Sequence, residues 1–325
     1  MKQMIALTAA AAALASILVS TQAGAETLYV SNERDNSVSV IDAAAMQPVA
    51  TWQVGGRPRG IAVSRDGKYL FVCASNDHAV QMIDRATGKV IANLPSGEDP
   101  EQFFPSRDGK LLFVANEDNA ALTAIDIATR TVAFQVDVGK EPEGVAESPD
   151  GKWVVVTSED ENVVNWIDTA SRTMVGALET ELRPRHVEFT ADGKELWIAA
   201  EVGGVVQIAD VAARDIVATI RFAPPGVKDY LVLPCGIRFT PDGKTAVVAL
   251  GRANHIALVD VASRKVRAYI PVGKRVWHLA ISGDGARAFT ANGLSDDVTV
   301  VDLAAVKVIG TVAAGSGPWG AVVAP

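Results

Sequence analysis

Short apolar runs bounded by polar turns dominate the chain, and their side chains alternate with the two-residue period of strands, not the 3.6-residue period of helices. One stretch shows the unit. Gly139-Lys-Glu-Pro142 turns the chain, and Glu143 to Ser148 reads as an apolar-rich strand. Pro149-Asp150-Gly151-Lys152 is then a tight turn using the preset φ of Pro and the freedom of Gly. Trp153 to Thr157 is the next strand, Glu159 to Asn162 a polar turn, and Val163 to Asp168 a third strand. Ala170-Ser171-Arg172 leads into a fourth at Thr173 to Leu178. Runs this short and rich in β-branched residues predict strands.

The unit repeats. Asp-Gly recurs at Asp66, Asp108, Asp150, Asp192, Asp242 and Asp284, always 42 residues apart except for one step of 50. An Asp closing an alternating run recurs in the same register at Asp42, Asp84, Asp126, Asp168, Asp210, Asp260 and Asp302. Four strands in such a period make one propeller blade. The fold expected is therefore all-β, a seven-bladed β-propeller of four-stranded blades over residues 26–325, with one eight-residue insertion near 222–233. The copies begin mid-unit at Thr27-Leu-Tyr-Val30, and the chain finishes on Pro318-Trp319-Gly320, the start of a unit. The terminal strands should thus pair in one blade and close the ring.

Residues 1–25 differ from everything after them. A short basic start, an apolar stretch and an Ala23-Gly24-Ala25 exit predict a secretory signal peptide. No second apolar run of that length follows. The expectation is an exported, periplasmic protein with no membrane span after cleavage.

The strands Leu28-Tyr-Val-Ser-Asn32, Leu112-Phe-Val-Ala-Asn116 and Ala288-Phe-Thr-Ala-Asn292, each followed by a run such as Val298-Thr-Val-Val-Asp302, resemble the YVTN β-propeller repeat. Seven copies behind a signal peptide look most similar to the exported propellers associated with PQQ-dependent alcohol catabolism. That resemblance implies a periplasmic accessory or binding role and no defined reaction.

Composition narrows the chemistry. A net charge of −8 and a pI of about 5.1 count against nucleic acid, which needs clustered Lys and Arg. Two cysteines without a C-x-x-C spacing exclude a disulfide scaffold and covalent c-type haem. Cys73 and Cys235 fall four repeats apart and read as buried thiols. There is neither a nucleophile elbow nor a glycine loop opening a helix for phosphate.

Site candidates come from comparing copies. The position after the turn Pro, at the entrance of each innermost strand, holds Arg59, Glu101, Glu143, Arg185, Cys235, Trp277 and Trp319 in the seven copies. A polar arc facing an aromatic arc suits an amphipathic ligand, although Arg59 with Glu101 and Arg185 with Glu143 could simply pair between blades. One residue further on, Gly60, Gly144, Gly236 and Gly320 give way in three copies to Gln102, His186 and His278. The two histidines should face a common space without touching. As metal or haem ligands they lack a third partner, so no cofactor is evident. Glu188 and Arg238 share a copy position and should pair. All four histidines and the insertion map to the rim of Gly-x-x-Pro connections, the rim expected to carry function; His78 and His255 read as turn residues.

The resulting expectation is a monomeric, non-catalytic binding propeller. Its candidate contact residues are Arg59, Glu101, Glu143, Arg185, His186, Trp277, His278 and Trp319. The partner would be a small molecule or a periplasmic protein, such as a PQQ-dependent dehydrogenase or a transport component. A lactonase-like enzyme, a haem- or metal-binding propeller and a pure interaction scaffold remain alternatives, because one fold hosts many functions.

Overall fold

Seven antiparallel sheets, each of four strands, follow one another through residues 26–325, which are the residues described by this computed structural model. The expected signal segment, 1–25, lies outside the described residues. Blade one contains Thr27–Asn32, Ser37–Asp42 and Gln47–Gln53 and receives Pro318–Ala324 as its innermost strand. The innermost strands of blades two to five begin at Pro58, Pro100, Pro142 and Pro184, and those of blades six and seven at Ile237 and Val276. Among the described residues the only helical turns are two short 3₁₀ segments, Ser75–Asp77 and Asp229–Leu231.

Ring closure takes the expected form. Thr27 pairs with Ala324, Leu28 with Val323, Tyr29 with Val322 and Val30 with Ala321, so blade one has no open inner edge.

Both sequence markers prove to be turn locks on one rim. Asp66 accepts hydrogen bonds at Oδ1 from Ser64 Oγ (2.7 Å) and the Lys68 amide (3.1 Å), and Gly67 follows at φ +72°, a conformation that penalises any Cβ. The Asp168 carboxylate accepts from the amides of Ala170 (3.0 Å) and Ser171 (2.8 Å). The repeat is written in Asp because a short carboxylate satisfies turn amides that the ladder leaves unpaired.

The core lies between blades. Phe71, Met82 and Leu94 of blade two, for example, meet Leu112, Val114 and Ile125 of blade three. Each large side chain so buried stabilises by about 1.5–3 kcal/mol before entropy is counted. The insertion crosses the Gly-x-x-Pro rim, leaves Tyr230 69% exposed, and shortens the inner strand of blade six to Ile237–Phe239.

Candidate functional site

The inner-strand entrances form a buried ionic layer. Arg59 donates to Glu101 and, through Nε, to Glu33 (2.9 Å); Arg57 donates to Glu101 (3.1 Å) and Asp99 (2.7 Å). Across the ring, Arg185 donates to Glu201 (2.7 Å) and lies 3.4 Å from both Glu143 and Glu159. The two expected pairs therefore exist, but as parts of a larger buried network in which Glu101 is fully enclosed. Burial pushes the Glu101 carboxyl up to about 8 despite Arg59, with Glu117 adding to the rise. Glu143 and Glu159 are likewise raised, burial outweighing Arg185. Burial works on Glu201 too, yet Arg185 and Arg275 together hold it below the usual carboxylate range.

The aromatic arc packs onto this network. The Arg275 and Arg185 guanidiniums lie 3.7 and 5.0 Å from the Trp277 ring centroid, and Arg59 lies 5.5 Å from that of Trp319. Trp319 is 1% exposed and belongs to the core, whereas Trp277 is half-buried. Polar and aromatic arcs thus cover one another instead of facing across an open cleft.

One residue deeper, glycines and side chains alternate around the ring except where Gly320 and Gly60 are neighbours. A Cβ at Gly144 would meet the Arg185 carbonyl oxygen at 2.8 Å and His186 Cα at 3.0 Å; one at Gly60 would meet the Glu101 oxygen at 2.8 Å. The inner strands approach too closely for every copy to carry a side chain. Those that do reach inward over the intervening glycine. Gln102 and His186, two blades apart, hydrogen-bond at 3.3 Å, and the rings of His186 and His278 meet edge to face with centroids 5.4 Å apart. The histidines expected to share a space without touching are in contact, because Gly236 between them leaves their rings unseparated.

His186 is held neutral: burial lowers its pKa, and Arg238 adds to the effect against Glu188. Arg238 Nη1 donates to His186 Nε2 (2.8 Å) and to Glu188 Oε2 (2.9 Å), so the expected Glu188–Arg238 pair forms. With Nε2 accepting, Nδ1–H donates to the Gln102 side-chain oxygen, and Gln102 Nε2 donates on to the Arg185 carbonyl (3.3 Å). Burial and the neighbouring His186 hold His278 far below its ordinary pKa, and His278 Nε2 has no hydrogen-bond partner among the described residues.

Below this bridge lies a cavity of about 480 Å³. Gln102, His186, Glu188 and Arg238 contribute its polar lining, and Ile61, Phe104, Val145, Phe239, Ile281 and Val322 are among its apolar walls. Arg65, Pro105, Pro241 and Gly283 also line it, so it opens toward the Asp-Gly rim. That is the opposite side from the one favoured by the histidine count. The Gly-x-x-Pro rim carries hollows of about 220 and 600 Å³ beside Leu182 and Tyr230.

Comparing copies at one position missed a second ring. Glu33, Glu117, Glu159 and Glu201 share one copy position after the second strand of their blades, with Ser75 in the copy between the first two, and Glu33, Glu159 and Glu201 supply most of the acids that meet Arg59 and Arg185. That shared position was available in the sequence. Asp99, Glu101 and Glu117 bring their carboxylates together, a cluster engaged at Glu101 and Asp99 by Arg57 and Arg59. His78 is an exposed left-handed turn residue, and His255 starts a strand beside its turn. Cys73 and Cys235 are both free and buried, as expected, and burial pushes the Cys235 thiol up to about 12.

The profile of the YNCE-like beta-propeller family matches residues 3–105, 75–151 and 146–321. No curated protein matches the sequence significantly. Among solved structures, hydrazine synthase from Kuenenia stuttgartiensis is similar at 23% identity and TM-score 0.71, covering 80% of this chain and 88% of that one. A protein of unknown function from Desulfotomaculum acetoxidans is 14% identical over 91% of this chain and 98% of its own, with TM-score 0.78. A provisionally assigned 6-phosphogluconolactonase from Bacteroides uniformis is 16% identical over 92% and 99%, also with TM-score 0.78. At these identities the likeness speaks for the fold alone.

Proposed function

Because the chain belongs to the YNCE-like beta-propeller family, and that fold defines no reaction, we propose that it is a non-catalytic binding propeller holding a small molecule in the cavity beneath the Gln102–His186–His278 bridge. One observation carries this reading: a central cavity of about 480 Å³ with apolar walls and a few convergent polar groups at one end. That volume lies in the range of about 300–1,000 Å³ usual for small-molecule sites. The reading includes export to the periplasm and an accessory role in PQQ-dependent alcohol catabolism. Its support there is the signal-like segment and the seven YVTN-like copies. The ionic layer of Arg59, Glu101, Glu143 and Arg185 with Trp277 and Trp319 then acts as the rigid roof of the site, and a periplasmic dehydrogenase or transport component is the partner class.

Native mass spectrometry and an absorption spectrum of protein taken from its own compartment test the reading. Ala62 lines the cavity and is partly exposed, so Ala62→Phe places a ring in that space. A bound mass present in the wild type and lost in this variant is the expected result. The proposal fails if the wild type carries no bound mass and no fragment-library compound raises its melting temperature more than that of Ala62→Phe.

A further inference from the structure

The lining charges point to the kind of molecule the cavity takes. Glu188 and Arg238 project from neighbouring inner strands, with side chains 30% and 35% exposed, and hold one another at 2.9 Å. All of Arg238's hydrogen bonds leave from Nη1, to His186, Glu188 and the Ile237 carbonyl. Its Nη2 and Nε, and Glu188 Oε1, have no protein partner among the described residues. Glu188 stays ionised because the charge of Arg238 beside it outweighs the cost of burial. His186 is neutral, as argued above, and Gln102 carries no charge. At the mouth, Arg65 is exposed, gives its Nε and Nη2 donors to the carbonyls of Ser106 and Pro105, each at 3.3 Å, and lies over the Phe104 ring, so its charge is screened by water.

The polar end of the cavity is therefore a compensated ion pair with donors and an acceptor to spare, set in apolar walls. A carboxylate lodged there meets Glu188, and an ammonium meets Arg238; each leaves a charge uncompensated in a half-buried place, which is costly. A neutral head that both accepts and donates satisfies the spare groups of both residues without that cost. We propose that the cavity selects uncharged amphipathic molecules, an apolar body carrying a primary carboxamide or a hydroxyl, with Arg238 donating to the head and Glu188 accepting from it. This deepens the cavity reading and rests on it.

Four probes of one size test it: benzamide, benzyl alcohol, benzoate and benzylamine, measured by calorimetry and ligand-observed NMR at pH 7.5. The expected result is that benzamide or benzyl alcohol binds the wild type at least about tenfold more tightly than either charged probe, the penalty for an uncompensated charge. Glu188→Gln keeps the size and hydrogen-bonding capacity but removes the charge that compensates Arg238. Benzoate should then gain about tenfold relative to benzamide. Benzoate or benzylamine binding the wild type as tightly as benzamide overturns the head-group assignment while leaving the cavity reading standing. No binding of any probe, with spectra identical to those of Ala62→Phe, overturns both. Should Glu188→Gln fold poorly, the wild-type series decides by itself.

Discussion

Gly144→Ala puts the glycine alternation to a direct test. Elsewhere, replacing Gly by Ala stabilises by about 0.4–1 kcal/mol, because the unfolded chain has less freedom to lose. At Gly144 the new Cβ would sit 2.8 Å from the Arg185 carbonyl oxygen and 3.0 Å from His186 Cα. Both are main-chain atoms, so no rotamer change relieves the contact and the inner strands of blades four and five must separate. Overpacking of this kind costs about 1–3 kcal/mol. For some 300 folded residues, an unfolding entropy of about 2.1 cal/mol/K per residue makes a loss of 2 kcal/mol worth about 3 °C in melting temperature. Gly176, in the outer strand of blade four, is the control, since its nearest neighbour is an Arg214 guanidinium nitrogen at 3.8 Å. Calorimetry should show Gly144→Ala melting below the wild type and Gly176→Ala at or above it. Adding His186→Ala to Gly144→Ala should not restore stability, because the clash is with backbone. At Gly236, where the nearest atom is His278 Nδ1 at 2.8 Å, adding His278→Ala should restore part of it. A Gly144→Ala protein as stable as the Gly176→Ala control refutes the claim that spacing dictates the glycines.

Three further outcomes follow from the same contacts. Removing residues 315–325 strips the inner strand from blade one together with buried Trp319 and Ala324; the melting temperature should fall sharply, and an unchanged value removes the closure argument. Trp319→Ala alone should cost about 3–5 kcal/mol in urea unfolding, as for other enclosed tryptophans, so Trp319 reports stability before it reports binding; a loss under about 1 kcal/mol would show that the ring is not a core element. Finally, Glu101, Glu143 and Glu159 have raised pKa values in the fold, so the folded state binds their protons more tightly than the unfolded state does. Their contribution is complete below the usual carboxylate pKa of 4.5 and is lost as pH rises through about 8 for Glu101. Urea stability should be lower at pH 8.5 than at pH 7.0, a window above the ordinary histidine pKa in which His186 and His278 do not oppose the trend, with part of the difference absent in Glu101→Gln; equal stability at the two values contradicts the assignment.

The strand pattern of one copy was legible to within a residue: Glu143 to Ser148 was expected and Pro142–Glu147 is found, and Val163–Asp168 agrees outright. Such agreement follows from local causes. An Asp that locks a turn, a Gly at positive φ and an alternating apolar run act on their own neighbours, and repetition at 42 residues multiplies the signal. The Glu188–Arg238 pair was legible for the same reason, since equal copy positions on adjacent inner strands must be neighbours in a ring.

What could not be read locally was how far side chains reach across the centre. Gln102, His186 and His278 stood out only as departures from glycine; that they touch across blades depends on an inner-strand spacing set by the whole ring. Nor could the chain reveal that Glu101 and Glu143 lie in a buried layer where Arg partners do not fully offset burial, because desolvation depends on everything packed around a group. The sequence by itself determined the seven blades, their turns and their closure, which rest on periodicity and near-neighbour contacts. Only the tertiary structure decided that the charged entrance is a covered roof and that the cavity opens on the opposite rim, since an enclosed volume belongs to all seven inner strands at once.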